Sequence, residues 1–311
     1  MTHVATLVCA PAARVLTPDL LQAAIQRLPG AGEPVILAAG EAADIPFAPG
    51  AAHGNHEAGA FADQAYCKAA ANVLRLGLGN APVDIFVQPK EGRRKKLLLA
   101  DMDSTMIGQE CIDELADFVG LKEHVAAITE RAMRGEIAFE PALRERVALL
   151  AGLDESVVET AIAQRITLTP GGQALVQTMR AHGAYTALVS GGFTVFTSRI
   201  APMIGFDENR ANVLCVANGL FAGEVEEPIL GKAAKLAALE ELTRQHGLEL
   251  GQAMAVGDGA NDLAMLEAAG FGVAFHAKPA VASAAFARVD HGDLTALLFA
   301  QGYRRDEFVF E

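Results

Sequence analysis

Leu97-Leu98-Leu99-Ala100-Asp101-Met102-Asp103-Ser104-Thr105 decides the fold. Its apolar part, read as a strand over 98–102, shows no polar alternation, the pattern of a strand buried on both faces of a parallel sheet. Asp101 and Asp103 leave that strand one residue apart, at the C-terminal rim where open α/β sheets bind ligands. Two carboxylates so close repel each other, and the placement is tolerable only with a cation nearby. A plain turn can also contain Asp-x-Asp, so the motif alone proves little. Gly257-Asp258-Gly259-Ala260-Asn261-Asp262 changes the balance, because it too follows an apolar run, 253–256, and opens a helix. Both acidic clusters then converge on one rim.

Working outward, 186–190 is a third apolar strand, followed by glycines, and strands alternating with helical stretches predict a parallel sheet with crossover helices. Residues 108–169 read as a helix-rich insert hanging over the rim as a lid, with Asp154 capping a helix over 155–165. Asn218-Gly219, between apolar runs 213–216 and 221–225, is a strong hairpin signal. Upstream, 4–9 and 33–39 read as strands around a helix capped by Thr17 and running to Gln26. Residues 41–59 read as a long surface loop, 60–76 as a helix and 83–88 as another strand. The charged stretch 90–96 marks a domain boundary. An α/β chain of three parts is therefore expected: a smaller N-terminal α+β domain over 1–92, a catalytic core over 93–107 and 170–311, and a helical cap over 108–169.

Bulk properties agree with such a division. At 311 residues the chain exceeds the size at which one core usually stops growing, and 51% hydrophobic residues suffice to close two. A formal charge of -13 argues against a nucleic-acid partner, which needs a basic face. Cys9, Cys67, Cys111 and Cys215 are scattered without a CxxC pair and read as small buried residues in a reduced compartment. With no basic leader before a long apolar run, and no stretch of about 18 apolar residues, the expectation is a cytoplasmic protein with no membrane partner.

Acids gathered at a sheet rim suit phosphate-ester cleavage. An anionic nucleophile approaching a doubly negative phosphoryl group needs a divalent cation and fixed donors to absorb the repulsion. Mg2+ suits an all-oxygen site with one or two carboxylates, and Asp101, the backbone carbonyl of Asp103 and Asp258 form the expected shell. Asp101 is then the candidate nucleophile, and Asp103 the candidate acid and base for the leaving group and water. Ser190-Gly191-Gly192 offers phosphate oxygens a hydroxyl and backbone N–H groups beside glycines, although such a stretch is also an ordinary strand-to-helix turn. Lys232 and Lys235 stand in the helix before the second cluster, and either could place an ammonium on phosphate and nucleophile.

With these residues assembled, the chain resembles the haloacid dehalogenase superfamily and, within it, the phosphoserine phosphatases, over 97–298. Asp101-Met102-Asp103-Ser104-Thr105 and Val256-Gly257-Asp258-Gly259-Ala260-Asn261-Asp262 carry the likeness, and Ser190-Gly191-Gly192-Phe193 adds to it. The resemblance implies a Rossmann-like parallel sheet, a phosphorylated Asp101 and an acid–base Asp103. It implies Ser190 and the Gly191 amide on phosphate, Asp258 on Mg2+, and Asn261 and Asp262 shaping the surroundings. The family's spacing favours Lys235 over Lys232. Glu110 and Arg146 fall where the family meets the ammonium and carboxylate of phosphoserine, and an acid with an arginine fork suits the two ends of a zwitterion. Met133 and Phe139 fall on apolar lid positions that shield the pocket. The N-terminal pattern is compatible with a degenerate ACT-like module that supports the core or a homodimer.

The expected activity is hydrolysis of O-phosphoserine to serine and phosphate, the last step of serine biosynthesis. A phosphatase or phosphotransferase for another small phosphomonoester is the alternative among enzymes, though Glu110 and Arg146 speak against a sugar. A catalytically silent amino-acid sensor is the alternative outside them. Asp101, Asp103, Lys235 and Asp258 oppose it, since a silent relative has no physical need to keep such charges together.

Overall fold

All seven residues of β1 (His3–Cys9) are buried, because both faces of this strand are covered. The computed structural model describes residues 1–50, 60–79, 81–133 and 136–310. After β1 come α1 (Pro18–Ile25), β2 (Val35–Ala38), β3 (Ala42–Phe47), α2 (Ala60–Gly77) and β4 (Val83–Pro89). The strands form an antiparallel sheet in the order β2-β3-β1-β4. Ala5, Leu7 and Cys9 pack with Leu21, Cys67 and Leu74 of the helices, while Val8 joins the core of the second half. Thr17 caps α1 as expected, its Oγ1 accepting the Leu20 N–H at 3.3 Å.

The expected loop over 41–59 is corrected in its first part, which forms β3. Pro46 argues against a ladder strand, but it pairs opposite Val4 of β1 with its carbonyl turned away to the Gly32 N–H, on the edge that β2 has left after Asp44, so no ladder bond needs its missing N–H. Residues 51–59 lie outside those described.

From β4, residues two apart face the second half, as strand periodicity requires. The Asp84 carboxylate accepts the N–H groups of Asp290, His291 and Gly292 at 2.7, 3.1 and 2.7 Å. The Phe86 ring lies 6.1 Å from that of Phe271, and Gln88 Nε2 donates to the Ala300 carbonyl at 2.7 Å.

The second half begins with β5 (Leu97–Ala100), every residue of which is 0% exposed. Four cap helices follow, α3 (Cys111–Asp117), α4 (Lys122–Met133), α5 (Phe139–Ala148) and α6 (Val157–Gln164). The chain returns through α7 (Gly172–Ala181), β6 (Tyr185–Phe193), α8 (Thr194–Ile204) and β7 (Glu208–Asn212). A hairpin of β8 (Leu214–Ala217) and β9 (Leu220–Val225) turns at Asn218 and Gly219, with φ of 55° and 80°. Then come α9 (Lys232–Gln245), β10 (Ala253–Gly257), α10 (Leu263–Ala268), β11 (Phe271–Phe275), α11 (Pro279–Ala284), β12 (Ala287–Val289) and α12 (Ala296–Ala300).

Six strands make a parallel sheet in the order β12-β11-β10-β5-β6-β7. This is the expected α/β architecture. The chain leaves β5 for β6 on one side and returns as β10 on the other, so the carboxyl end of β5 is the topological switch point. Two local expectations shift. Ser190-Gly191-Gly192 stays within β6, whose register with β7 breaks between Val189 and Phe193. The helix expected from 155 begins at Val157, with Asp154 Oδ1 accepting the Ser156 N–H at 2.8 Å. No helix among the described residues is long and apolar enough to cross a membrane.

Because Asp84 satisfies three backbone donors of a buried loop, Asp84→Ala is expected to lower unfolding stability by about 2–4 kcal/mol in urea titrations. A loss below about 0.5 kcal/mol, the usual range for surface changes, would show that this grip is not structural.

Candidate active site

Lys235 is 1% exposed and shares a helix face with Ala238, Leu239 and Leu242, so the apolar stripe of α9 carries its ammonium into the sheet rim. Lys232, one turn earlier, is exposed. Lys235 Nζ stands 2.6 Å from Asp101 Oδ1 and 2.6 Å from Asp262 Oδ1. Asp101, just past the end of β5, also accepts the Met102 N–H on Oδ1 at 2.8 Å. Both contacts fall on one oxygen, leaving the other for a different partner. Asp262 is 0% exposed and its Oδ2 accepts the Gly259 N–H at 3.0 Å. Gly257 permits that fold-back, since a Cβ there would run into the Asp262 carboxylate.

One carboxylate oxygen each from Asp101, Asp258 and Asp262 lies within 4.8 Å of the other two. Three acids thus share one ammonium, an excess of two formal negative charges. The strain is visible in their protonation. Burial, then the Asp262 charge, pushes the Asp101 carboxyl well above the usual carboxylate range, against the pull of Lys235. Burial and Asp262 push Asp258 up to about 6, opposed by the Thr105 hydroxyl, which donates to Asp258 Oδ1 at 3.1 Å. Burial pulls Lys235 down, but Asp101 and Asp262 outweigh it and hold the ammonium above its ordinary value. A dication fits this donor set, which is all oxygen and two charges short of neutrality. Asp262 already spends both oxygens on Lys235 and Gly259, so it holds the lysine in place.

Asp103 faces elsewhere. The chain from Met102 to Met106 makes a tight turn with Ser104 at φ 55°, and this turns the second carboxylate away from the first. Asp103 Oδ1 accepts the Cys111 N–H at 2.9 Å, and Oδ2 accepts the Ser190 hydroxyl at 3.1 Å. Ser190 Oγ in turn accepts the Gly192 N–H at 2.8 Å. A side chain at Gly192 would put its Cβ 2.7 Å from Asp103 Oδ2. Asn261 leans over Gly259, which has no side chain to obstruct it.

The cap closes over these groups. The Phe139 ring stands where Cβ atoms on Gly191 and Gly231 would be 3.3 and 3.4 Å from it, so both glycines give it a seat. Glu110 Oε1 accepts the Ser104 hydroxyl at 2.7 Å, and burial with Asp103 pushes its carboxyl up to about 7. Arg146 is buried, with Nη1 donating to Thr129 Oγ1 at 3.0 Å and Nε to the Ala142 carbonyl at 3.1 Å. Burial lowers its pKa, and the charges of Asp113 and Glu110 oppose that. Met133 ends α4, but its side chain lies outside the described residues.

Sequence reasoning missed several supporting residues. Asn212, at the end of β7, donates to the Gly191 and Leu230 carbonyls at 2.8 and 3.2 Å and accepts the Leu230 N–H at 2.6 Å. It fixes the glycine stretch from behind, and a lone asparagine carries no signal of that. Thr105 was legible in principle, being part of the acidic motif itself. Thr129 positions Arg146 from a helix distant in sequence.

A parallel sheet with a helical cap and acids at its switch point is the architecture of a known class of hydrolase. The chain belongs to the haloacid dehalogenase-like hydrolase family, whose model matches residues 98–267. Within it, the chain is 48% identical over 208 residues to a phosphoserine phosphatase of Albidiferax ferrireducens, covering 65% of this chain and 88% of the relative. A solved phospho-aspartyl intermediate analogue of phosphoserine phosphatase superposes with TM-score 0.62 at 41% identity, over 66% of this chain and 98% of the other. A haloacid dehalogenase family hydrolase from Salmonella enterica matches with TM-score 0.76 at 26% identity, over 96% of this chain and 98% of the other. The likeness to the last extends through the N-terminal sheet.

Lys235→Met should leave three buried carboxylates without an ammonium. Breaking such a pair is expected to lower stability by about 3–5 kcal/mol near neutral pH in the absence of divalent ions. Asp101 and Asp258 already lie above ordinary carboxylate values, so the folded variant holds protons that the unfolded chain has released. Its deficit against the parent therefore shrinks as pH falls from about 8 to about 5. Equal deficits at both ends, measured by denaturant titration, would remove the electrostatic explanation.

Proposed function

We propose that this chain hydrolyses O-phosphoserine to serine and inorganic phosphate through a phosphorylated Asp101, the last step of serine biosynthesis, in the cytoplasm. The observation that carries this reading is the division between two acids one residue apart. Asp101 is held by the Lys235 ammonium at 2.6 Å, as a nucleophile must be to stay anionic near phosphate. Asp103 is held by neutral donors, the Cys111 N–H and the Ser190 hydroxyl, with no cationic side chain bound to it among the described residues, and is assigned the acid and base role.

The Asp101 carboxylate attacks phosphorus while the bond to the serine oxygen breaks, and a proton on Asp103 passes to that leaving oxygen. Asp103 then takes a proton from water, whose oxygen attacks the same phosphorus and returns Asp101 as a carboxylate. The Ser190 hydroxyl, which meets Asp103 in this structure, turns to a phosphate oxygen beside the Gly191 N–H. Lys235 neutralises charge on both the nucleophile and the transferred group. Asp101, the Asp103 carbonyl and Asp258 would hold a Mg2+, which supplies positive charge against the phosphate dianion.

Selectivity for the amino acid falls to the cap. Arg146 meets the substrate carboxylate, and Glu110 meets its ammonium. Burial and then the Asp103 charge push Glu110 up to about 7, and an arriving ammonium favours its ionised form. Phe139, seated on Gly191 and Gly231, excludes water from the reacting phosphate.

Asp101→Asn is expected to reduce phosphate release by about 10⁴-fold or more while circular dichroism stays that of the parent. Retention of activity within about tenfold would rule out the covalent route. Arg146→Ala is expected to raise KM for phosphoserine by about 100-fold, the value of a charge-assisted fork at 1.4 kcal/mol per tenfold. Hydrolysis of an aryl phosphate should change by less than about threefold, and parallel losses on both substrates would place the carboxylate contact elsewhere.

A further inference from the structure

A second cluster of ligating side chains lies on the N-terminal sheet, and none of the catalytic steps uses it. His3 on β1 meets Asp63 and Cys67 on α2, with one ligand atom of each within 4.8 Å of the other two. Asp63 and Cys67 are four residues apart, so successive turns of one helix present both to the same imidazole. We propose that His3, Asp63 and Cys67 form a second cation site, selective for a borderline-soft divalent transition ion such as Zn2+ and separate from the all-oxygen catalytic cluster.

Four features support this, independently of the reaction assigned above. The first is donor chemistry: nitrogen, sulfur and oxygen together select transition ions, whereas Mg2+ prefers oxygen alone. The second is the orientation of the ring. His3 Nδ1 lies 3.0 Å from Thr2 Oγ1, and Nε2 faces Asp63 Oδ1 at 2.9 Å. Without an ion Nε2–H donates to Asp63; on binding, the imidazole proton would move to Nδ1 and be donated to Thr2, freeing the Nε2 lone pair for the cation, with the outer contact that metal-bound histidines usually show. The third is rigidity. The rings of Phe47 and Tyr66 stand 5.7 and 5.8 Å from the imidazole and wall it in.

The fourth is access. The His3 and Asp63 side chains are 10% and 39% exposed, so an ion can enter along the carboxylate while the far side stays dry. Cys67 is 1% exposed and is the least exposed of the three ligands. On binding, the cation takes the place of the thiol proton, which leaves to solvent, and water completes a tetrahedral set. Side-chain rotations bring the three atoms to the ~2.0–2.3 Å that such an ion requires.

The test is an optical titration of the full chain with Co2+, with excess Mg2+ present to occupy the oxygen-only catalytic cluster. A thiolate-to-cobalt charge-transfer band should grow in, saturate at one equivalent and be displaced by Zn2+. It should vanish in Cys67→Ser, and His3→Gln should weaken Co2+ binding at least about tenfold. Absence of the band, its survival in Cys67→Ser, or unchanged affinity in His3→Gln overturns the proposal. The histidine variant keeps the test decisive should Cys67→Ser fail to fold.

Discussion

One ammonium shared between two buried carboxylates is the constraint around which this molecule is arranged. Lys235, at 2.6 Å from both Asp101 and Asp262, cannot be moved or removed without stranding charge in a dry site. Each carboxylate is tied a second time, Asp101 by the Met102 N–H and Asp262 by the Gly259 N–H. The cluster is therefore fixed before any ligand arrives, which is the condition for electrostatic stabilisation without reorganisation. With Asp258 counted, the rim remains two formal charges short of neutral, and that deficit suits it to a dication.

The backbone turn after β5 converts a one-residue separation into a difference of partners. In an extended strand the two aspartates would lie on the same face. The left-handed Ser104 diverts the chain, so Asp101 stays with the lysine and Asp103 swings to Ser190 and the first cap helix. The glycines at 191 and 192 are needed for the same reason, since one lies under Phe139 and the other beside the Asp103 carboxylate. Cap, loop and sheet thus meet through close contacts, where a Cβ at Gly192 would displace the Asp103 carboxylate and one at Gly191 would press on Phe139.

Around this centre the N-terminal sheet acts as a second wall. Asp84 holds the backbone at 290–292, and Gln88 holds Ala300, so two polar side chains of β4 replace what would otherwise be unsatisfied groups in a buried interface. The strand carries them on one face with Phe86, a polar-apolar-polar sequence that an exposed strand would also show. The burial of β4 on both faces was for that reason invisible beforehand.

Local chemistry alone was enough to place the apolar strand before Asp101, the hairpin at Asn218-Gly219, the cap between β5 and β6 and the convergence of two acidic clusters. These features are short in range: a hydrophobic run, a turn dipeptide and a motif each encode their own geometry. Lys235 was favoured over Lys232 only by the spacing of the family it resembles, and its burial beside Asp101 and Asp262 came from the structure. What only the tertiary structure decided is pairing over distance. That Ala42–Phe47 becomes a ladder strand, that Asn212 braces Gly191, that Thr129 aims Arg146 and that His3 meets Asp63 and Cys67 all depend on segments brought together by burial. Such contacts follow from the whole core closing at once, and polar residues such as Asn212 and Thr129 are of types that serve equally well in solvent.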